Sequence, residues 1–181
     1  IFRGWSVVAV IALIIGFSGQ VFIATGFTIL ASALVAAFSW PAANVALGAT
    51  LFLLAQVTAY PVCGRLIDRF GSRRVAATGF LLFGLLLWAT SRISVLGEFH
   101  LAMVALGFVS TMTNPVTYLR TLSLWFERRR GLAIGLAAGG MSLGAALIPL
   151  GLQAIIQRHD WSASLQALGA VHLLFCLPLV L

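Results

Sequence analysis

Apolar residues run along this chain in long stretches, and charged positions are gathered into short groups between them. From Gly4 to Gly64 there is no Asp, Glu, Lys, Arg or His, and at about 1.5 Å per residue such a run is far too long for one crossing of a ~30 Å hydrocarbon core. It must cross twice. An arginine at a helix centre costs about 2.5 to 3.5 kcal/mol on the insertion scale while Leu or Phe gains a few tenths, so charge-free windows mark the spans. Six emerge: Trp5 to Ala31 or a little beyond, Asn44 to Cys63, Val75 to Ser91, Phe99 to Leu124, Gly131 to Ile156, and Ala163 to Leu181. An uncharged turn, Phe38-Ser39-Trp40-Pro41, joins the first two. The expected fold is an all-α polytopic membrane helix bundle, a single domain over residues 1–181.

Composition agrees: 61% of residues are apolar and 8% charged, where a soluble domain carries roughly 25% charged residues. A net charge of +7 would in a polar protein suggest nucleic acid. Here the arginines flank apolar runs, so membrane edges explain them and no nucleic-acid partner is expected. Arginines in short loops are retained on the cytoplasmic side. With the N-terminus inside, Arg3, Arg65, Arg69, Arg73, Arg74, Arg120, Arg128, Arg129 and Arg130 are cytoplasmic, whereas Arg92 and Arg158 lie outside beside Glu98, His100, His159 and Asp160. Carrying Arg128 to Arg130 across would cost on the order of 9 kcal/mol on the same scale, so the triplet also acts as a stop signal. Cys63 and Cys176 lack the spacing of a disulfide framework or zinc site; no metal or cofactor is expected. The chain begins at Ile1 and ends in an apolar run, so a longer protein is expected.

A faint internal repeat is visible. Pro61 is followed by a charged turn and Gly79, and Pro149 by Gln157 to Asp160 and Gly169, so spans two and three match five and six in opposite orientation. Two inverted three-helix repeats of this kind are a transporter arrangement.

The segment after the second span reads Gly64-Arg65-Leu66-Ile67-Asp68-Arg69-Phe70-Gly71-Ser72-Arg73-Arg74. Two glycines permit a tight reversal, and one carboxylate among four guanidinium groups can face a helix N-terminus or hold an arginine bidentately. A plain positive-inside hairpin needs neither. In form and position this segment resembles the signature loop of the major facilitator superfamily, a likeness that spans nearly all of the chain. The resemblance implies that the loop clamps two halves of a transporter on the cytoplasmic side, with Asp68 the acid facing a helix end of the second half and Arg69, Arg73 and Arg74 its basic partners. Ser72 stands where a basic residue is common.

A second stretch, Trp125-Phe126-Glu127-Arg128-Arg129-Arg130-Gly131-Leu132-Ala133-Ile134-Gly135, resembles the opening of helix five in the monocarboxylate porter branch, related to oxalate and formate exchangers. The Ser39-Trp40-Pro41 turn fits that branch too. Arg3-Gly4-Trp5 and Asp160-Trp161-Ser162 depart from its pattern. Gly131, Gly135, Gly139 or Gly140, and Gly144 recur about every four residues, a face smooth enough for close helix approach. Its expected partner is a helix of a missing C-terminal six-helix half, or of a second six-helix subunit.

Polar residues inside spans tend to face a bundle interior or a watery cavity. Ser110, Asn114, Thr117, Tyr118 and Thr121 share one helix face in span four, where Pro115 should bend the helix, and Ser18, Thr25 and Ser32 recur in span one with Gln20 and Thr28 nearby. Gln20, Thr25, Asn114, Thr117, Tyr118 and Arg120 are therefore the candidate cavity residues; the alternative is hydrogen bonding between helices, worth about 0.6 kcal/mol each. Arg120 can pair with a carboxylate substrate or snorkel to the headgroups. The expected function is secondary transport of a small organic anion, a monocarboxylate, by alternating access, by proton coupling or exchange, in the plasma membrane of a bacterium. No enzyme is expected. Two other classes compete: Gly140-Met141-Ser142-Leu143-Gly144 spells a serine-hydrolase motif with His172 in the next span, although that motif needs a strand-to-helix elbow; and a six-helix structural protein would need no Asp68.

Overall fold

The computed structural model describes residues 4–114 and 130–180. Six helical spans in it are long and apolar enough to cross a membrane: Trp5–Phe38, Ala42–Phe70, Ser72–Thr90, Leu96–Thr113, Gly131–Arg158 and Trp161–Val180. The sequence windows mark all six, and most boundaries move outward. A charge ends a hydropathy window but not a helix, because the last turns can stand in the headgroups with their backbone bonds intact. The second span shows this most clearly. It carries 29 residues, about 43 Å of helix against a ~30 Å core, so Gly64, Arg65, Asp68 and Arg69 extend the helix and form no loop. Gly64 is no part of a reversal. The turn is made at Gly71 alone, with φ 83°, a conformation that glycine adopts without steric cost.

The uncharged turn between the first two spans is held by aromatic rings. Ser39 closes the first span in the left-handed conformation, φ 54°, and Pro41 opens the second. Trp40 stacks on Phe38 with ring centroids 4.4 Å apart, and Phe38 meets Trp161 edge-on at 5.4 Å. Such rings suit the membrane–water boundary. At the start of the sixth span Asp160 caps the helix, its carboxylate accepting from the Ala163 amide at 2.7 Å.

Packing between spans displays the inverted repeat. The first span lies against the fifth, the second against the fourth, and the third against the sixth. Exchanging spans one to three for four to six maps this set of pairs onto itself. The close approaches follow the same rule: a side chain on Gly140 or Gly144 would strike the backbone of Ala12 or Gly16, while one on Gly48 or Gly107 would strike Phe99 and Met103 or the backbone of Phe52. Gly84 and Gly169 face each other's carbonyls where the third and sixth spans meet. The echo seen around Pro61 and Pro149 is thus carried more accurately by glycines. One apolar cluster, with Phe22, Leu34, Phe52, Phe99 and Met103 among its members, fills the bundle on the side of the aromatic turn, and a second, with Ile11, Ile15, Phe80, Ala133 and Cys176, fills the other.

The expected glycine face of the fifth span divides in two. Gly140 and Gly144 pack inside this bundle on the first span, which corrects their assignment to a partner helix, whereas Gly131, Gly135 and Gly139 would meet nothing within 4 Å. With Ser142 and Ala146, which are also exposed, they line the side opposite that contact. Substituting Gly140→Val should therefore lower the thermal midpoint of the purified protein by an amount equivalent to about 1–3 kcal/mol of overpacking, while Gly139→Val leaves it nearly unchanged; equal shifts for both would contradict this division.

Candidate functional site

The first span is interrupted inside the bundle, and the interruption touches the place where the described part of the fourth span leaves the α-helix. In the first, the helix stops at Gly16 and restarts at Gly19 through an extended Ser18, followed by a π-helical turn over Phe22–Gly26. In the fourth, the α-helix ends at Ser110, tightens to a 3₁₀ turn over Thr111–Thr113 and turns extended at Asn114. The next residue in sequence is Pro115, a residue type that disfavours helical backbone in the residue before it, in keeping with the extended Asn114. Backbone groups freed in lipid need partners. The Gly19 amide donates to Thr113 Oγ1 at 3.2 Å, joining the two places directly. The repeat exchanges the first span with the fourth.

Polar side chains gather around this crossing. Gln56, 4% exposed, donates from Nε2 to Ser110 Oγ at 2.9 Å, and Ser110 Oγ donates to the Gly107 carbonyl at 2.6 Å. Asn114 Nδ2 donates to Tyr60 Oη at 2.9 Å. Thr113 Oγ1 donates to the Ser110 carbonyl at 3.0 Å, and the Cys63 thiol lies 3.5 Å from the Thr111 carbonyl. Asn114 is thus at the crossing, as its place in the sequence suggests. Ser110 is turned inward as a link between helices. Thr117, Tyr118 and Arg120 lie outside the described residues. Gln56 and Tyr60 escaped the sequence reading; the signal for Gln56 was a lone amide deep in an apolar run. In the first span the seven-residue recurrence dissolves. Ser18 is buried, Thr25 is half-buried and donates to the Val21 carbonyl at 2.9 Å, and Ser32 is exposed and donates to the Ile29 carbonyl at 2.8 Å, because the break and the π turn rotate the helix between them. Gln20 is half-buried beside Gly19.

The charged hairpin lies at the other end of the second span. Gly71 caps that span through its amide to the Ile67 carbonyl at 2.9 Å, and its own carbonyl receives the Val75 amide at 3.2 Å. Arg73 Nε donates to the Val180 carbonyl at 2.9 Å, which links the start of the third span to the sixth. The Arg69 guanidinium lies 5.2 Å from the centre of the Phe70 ring. Asp68, Arg69 and Arg74 are exposed on the last turn of the second span and the first of the third. Among the described residues the hairpin therefore ties the third span to the sixth through Arg73.

Other places fit a site less well. A groove of 180 Å³ is lined by Phe17, Ile148, Leu152, Leu168 and further residues that are apolar except for Ser164, whose hydroxyl donates to the Trp161 carbonyl. Ser142 lies on the exposed face of the fifth span. His172 is buried, and both its ring nitrogens lie 2.8 Å from carbonyl oxygens, of Leu168 and Phe17. Neither nitrogen is directed at Ser142, so the hydrolase alternative lacks its nucleophile–base pair.

A discontinuous helix inside a bundle of inverted repeats and a glycine-turned charged hairpin are the features of one transporter architecture. The family model of the Major Facilitator Superfamily matches residues 4–181. The chain belongs to the Major Facilitator Superfamily. Among curated proteins it is 34% identical over 148 residues to monocarboxylate transporter 13 of Bos taurus, covering 78% of this chain and 34% of that protein. To monocarboxylate transporter 11 of Homo sapiens it is 34% identical over 150 residues, 80% of this chain and 32% of that protein. A probable triacylglyceride transporter of Mycobacterium bovis is 30% identical over 142 residues, 71% of this chain and 27% of that protein. The chain thus spans about a third of the length of these relatives.

If Gln56 and Ser110 act as a linked pair, Ser110→Val in a Gln56→Leu background should cost less than Ser110→Val alone. The coupling expected from double-mutant cycles in membrane proteins is about 0.6 to 1.7 kcal/mol, read from thermal unfolding of the four variants in detergent. Additive costs would remove the link.

Proposed function

We propose that this chain is the N-terminal six-span half of a secondary transporter that carries a small organic anion, a monocarboxylate, by alternating access. The observation that carries the reading is the contact between the break of the first span and the place where the fourth leaves the α-helix. The Gly19 amide meets Thr113 there, beside the Asn114–Tyr60 pair, inside a bundle of inverted repeats, the setting in which such folds hold a solute. The monocarboxylate transporters among the relatives support the substrate class. Within this reading, Arg120 offers the carboxylate a bidentate partner.

A second half completes the carrier. The exposed stripe of Gly131, Gly135 and Gly139 lets a partner helix approach closely, and Asp68, Arg69 and Arg74 of the hairpin form a latch to that half. The partner is the C-terminal six-helix half of the same protein or a second six-helix subunit. Nine of the eleven arginines fall on one side of the bundle, which supports an N-terminus inside the cell and a hairpin against the inner leaflet of a plasma membrane, a bacterial inner membrane.

Three measurements test this reading. Proteoliposomes of the full-length protein should take up radiolabelled lactate or pyruvate saturably, with formate and oxalate as competitors; no saturable uptake of any of these anions would refute the substrate class. Arg120→Lys should lower uptake about tenfold or more while surface expression stays at wild-type level, as expected when a bidentate guanidinium is replaced by a point charge. A cysteine at Ser72, with Cys63 and Cys176 replaced by alanine, should react with a membrane-impermeant maleimide in inverted vesicles but not in intact cells; labelling from outside would reverse the orientation.

A further inference from the structure

The break in the first span creates a need that a residue outside the polar crossing meets. In an unbroken helix the Val21 amide would donate to the Phe17 carbonyl, but here it donates to the Ser18 carbonyl at 3.0 Å, as does the Phe22 amide at 3.1 Å. The Phe17 carbonyl is met instead by His172 Nε2 of the sixth span at 2.8 Å. The other ring nitrogen, Nδ1, lies 2.8 Å from the Leu168 carbonyl. His172 is 0% exposed, between Phe80 and Phe83 with ring centroids 5.8 and 5.1 Å away.

A neutral imidazole has one N–H and one lone pair, and only the imidazolium donates from both nitrogens. Two carbonyl oxygens at hydrogen-bond distance are therefore both satisfied only when the ring carries an additional proton. We propose that His172 is a proton-binding site whose imidazolium ties the sixth span to the break of the first, so that binding and release of one proton is linked to movement of the first span. The proposal rests on the carrier reading above and names the coupling ion of that carrier.

The linkage follows from what deprotonation does. When the proton leaves to water, one ring nitrogen regains a lone pair, and one of the two 2.8 Å approaches then sets lone pair against lone pair. The ring has to turn. The Leu168 carbonyl still accepts the backbone amide of His172, so the sixth span remains intact. The Phe17 carbonyl has no helical donor, and the hydrogen bond that breaks or lengthens is the one that crosses between spans. Release of the proton thus frees the two parts of the first span to change their angle beside Gly19 and Thr113 of the fourth span. Rebinding restores the clamp.

His172 is the titratable side chain that the described hydrogen bonds place at the first-span break. The first span, Trp5–Phe38, contains no titratable side chain. Arg73 and Arg74 lie at the start of the third span, Glu98 and His100 near the start of the fourth, and Arg158 at the end of the fifth. On the sixth span itself Cys176 follows one turn later, buried as a free thiol. An ionisable side chain inside a spanning bundle, held by backbone carbonyls, is a common form of proton relay.

The test uses the full-length transporter with ring-¹⁵N histidine and His172 assigned by its loss in His172→Gln. Between about pH 5 and pH 9, the range in which imidazole charge changes, the His172 ring should pass from two protonated nitrogens to one. A ring that holds the same number of protons throughout overturns the proposal. In proteoliposomes, a gradient of one pH unit supports about tenfold accumulation for one proton per cycle, and His172→Gln should abolish this accumulation of lactate while lowering lactate counterflow far less. Equal losses in the two assays, or retained accumulation, count against coupling through His172. Counterflow of lactate with a ring that does not titrate leaves the carrier reading standing and removes the proton site; a titrating ring with no monocarboxylate flux does the reverse.

Discussion

Every backbone amide and carbonyl inside a bilayer needs a hydrogen-bond partner from the protein itself, and the broken first span is where this constraint becomes specific. A helix that stops in the membrane sets free amides on one side of the break and carbonyls on the other. In the first span the freed Gly19 amide goes to Thr113 of the fourth span and the freed Phe17 carbonyl to His172 of the sixth. The break is thereby held by two elements distant in sequence. Its geometry depends on how those elements sit, and a change at either is transmitted to it.

That dependence is organised by the inverted repeat. The close glycine contacts on either side of the crossing are related by one exchange: Ala12 with Gly140 and Gly16 with Gly144 in one, Met103 with Gly48 and Gly107 with the Phe52 backbone in the other. Small residues allow backbones to approach where a hydrophobic driving force between helices is absent. The two interfaces fix spans one and four against spans five and two, and so bring the first-span break to the fourth span. The third and sixth spans, joined at Gly84 and Gly169 and by Arg73 at the Val180 carbonyl, brace the same crossing from the hairpin side.

Much of the fold and part of the site were legible in the sequence. Hydropathy marked six spans, because the cost of charge in hydrocarbon leaves a plain imprint on composition. The Gly71 turn and the Asp68 and arginine cluster were legible as a motif, and Pro115 marked the place where the fourth span leaves the α-helix. The second span was read too short where its apolar window gave way to charge, since the helix runs on through Asp68 and Arg69. The glycine stripe of the fifth span was read as one surface, although Gly140 and Gly144 turn inward and Gly135 and Gly139 outward. Spacing alone cannot say which of two neighbouring faces meets a partner. Gln56 and Tyr60 carried no motif at all, and their relevance appeared only when the second span was placed beside the fourth.

The number of crossings, the side on which the arginines are expected to remain and the place of the glycine-turned hairpin could all be read from the order of residues. They follow from local energetics, since the cost of a charge in lipid or of a positive φ angle is met residue by residue. It took the packed bundle to establish that Ser110 binds Gln56, that Thr113 reaches Gly19 and that His172 holds the Phe17 carbonyl. Those partners lie on different spans, and which of them meet depends on the angles and rotations at which whole helices cross, quantities that no single stretch of chain encodes.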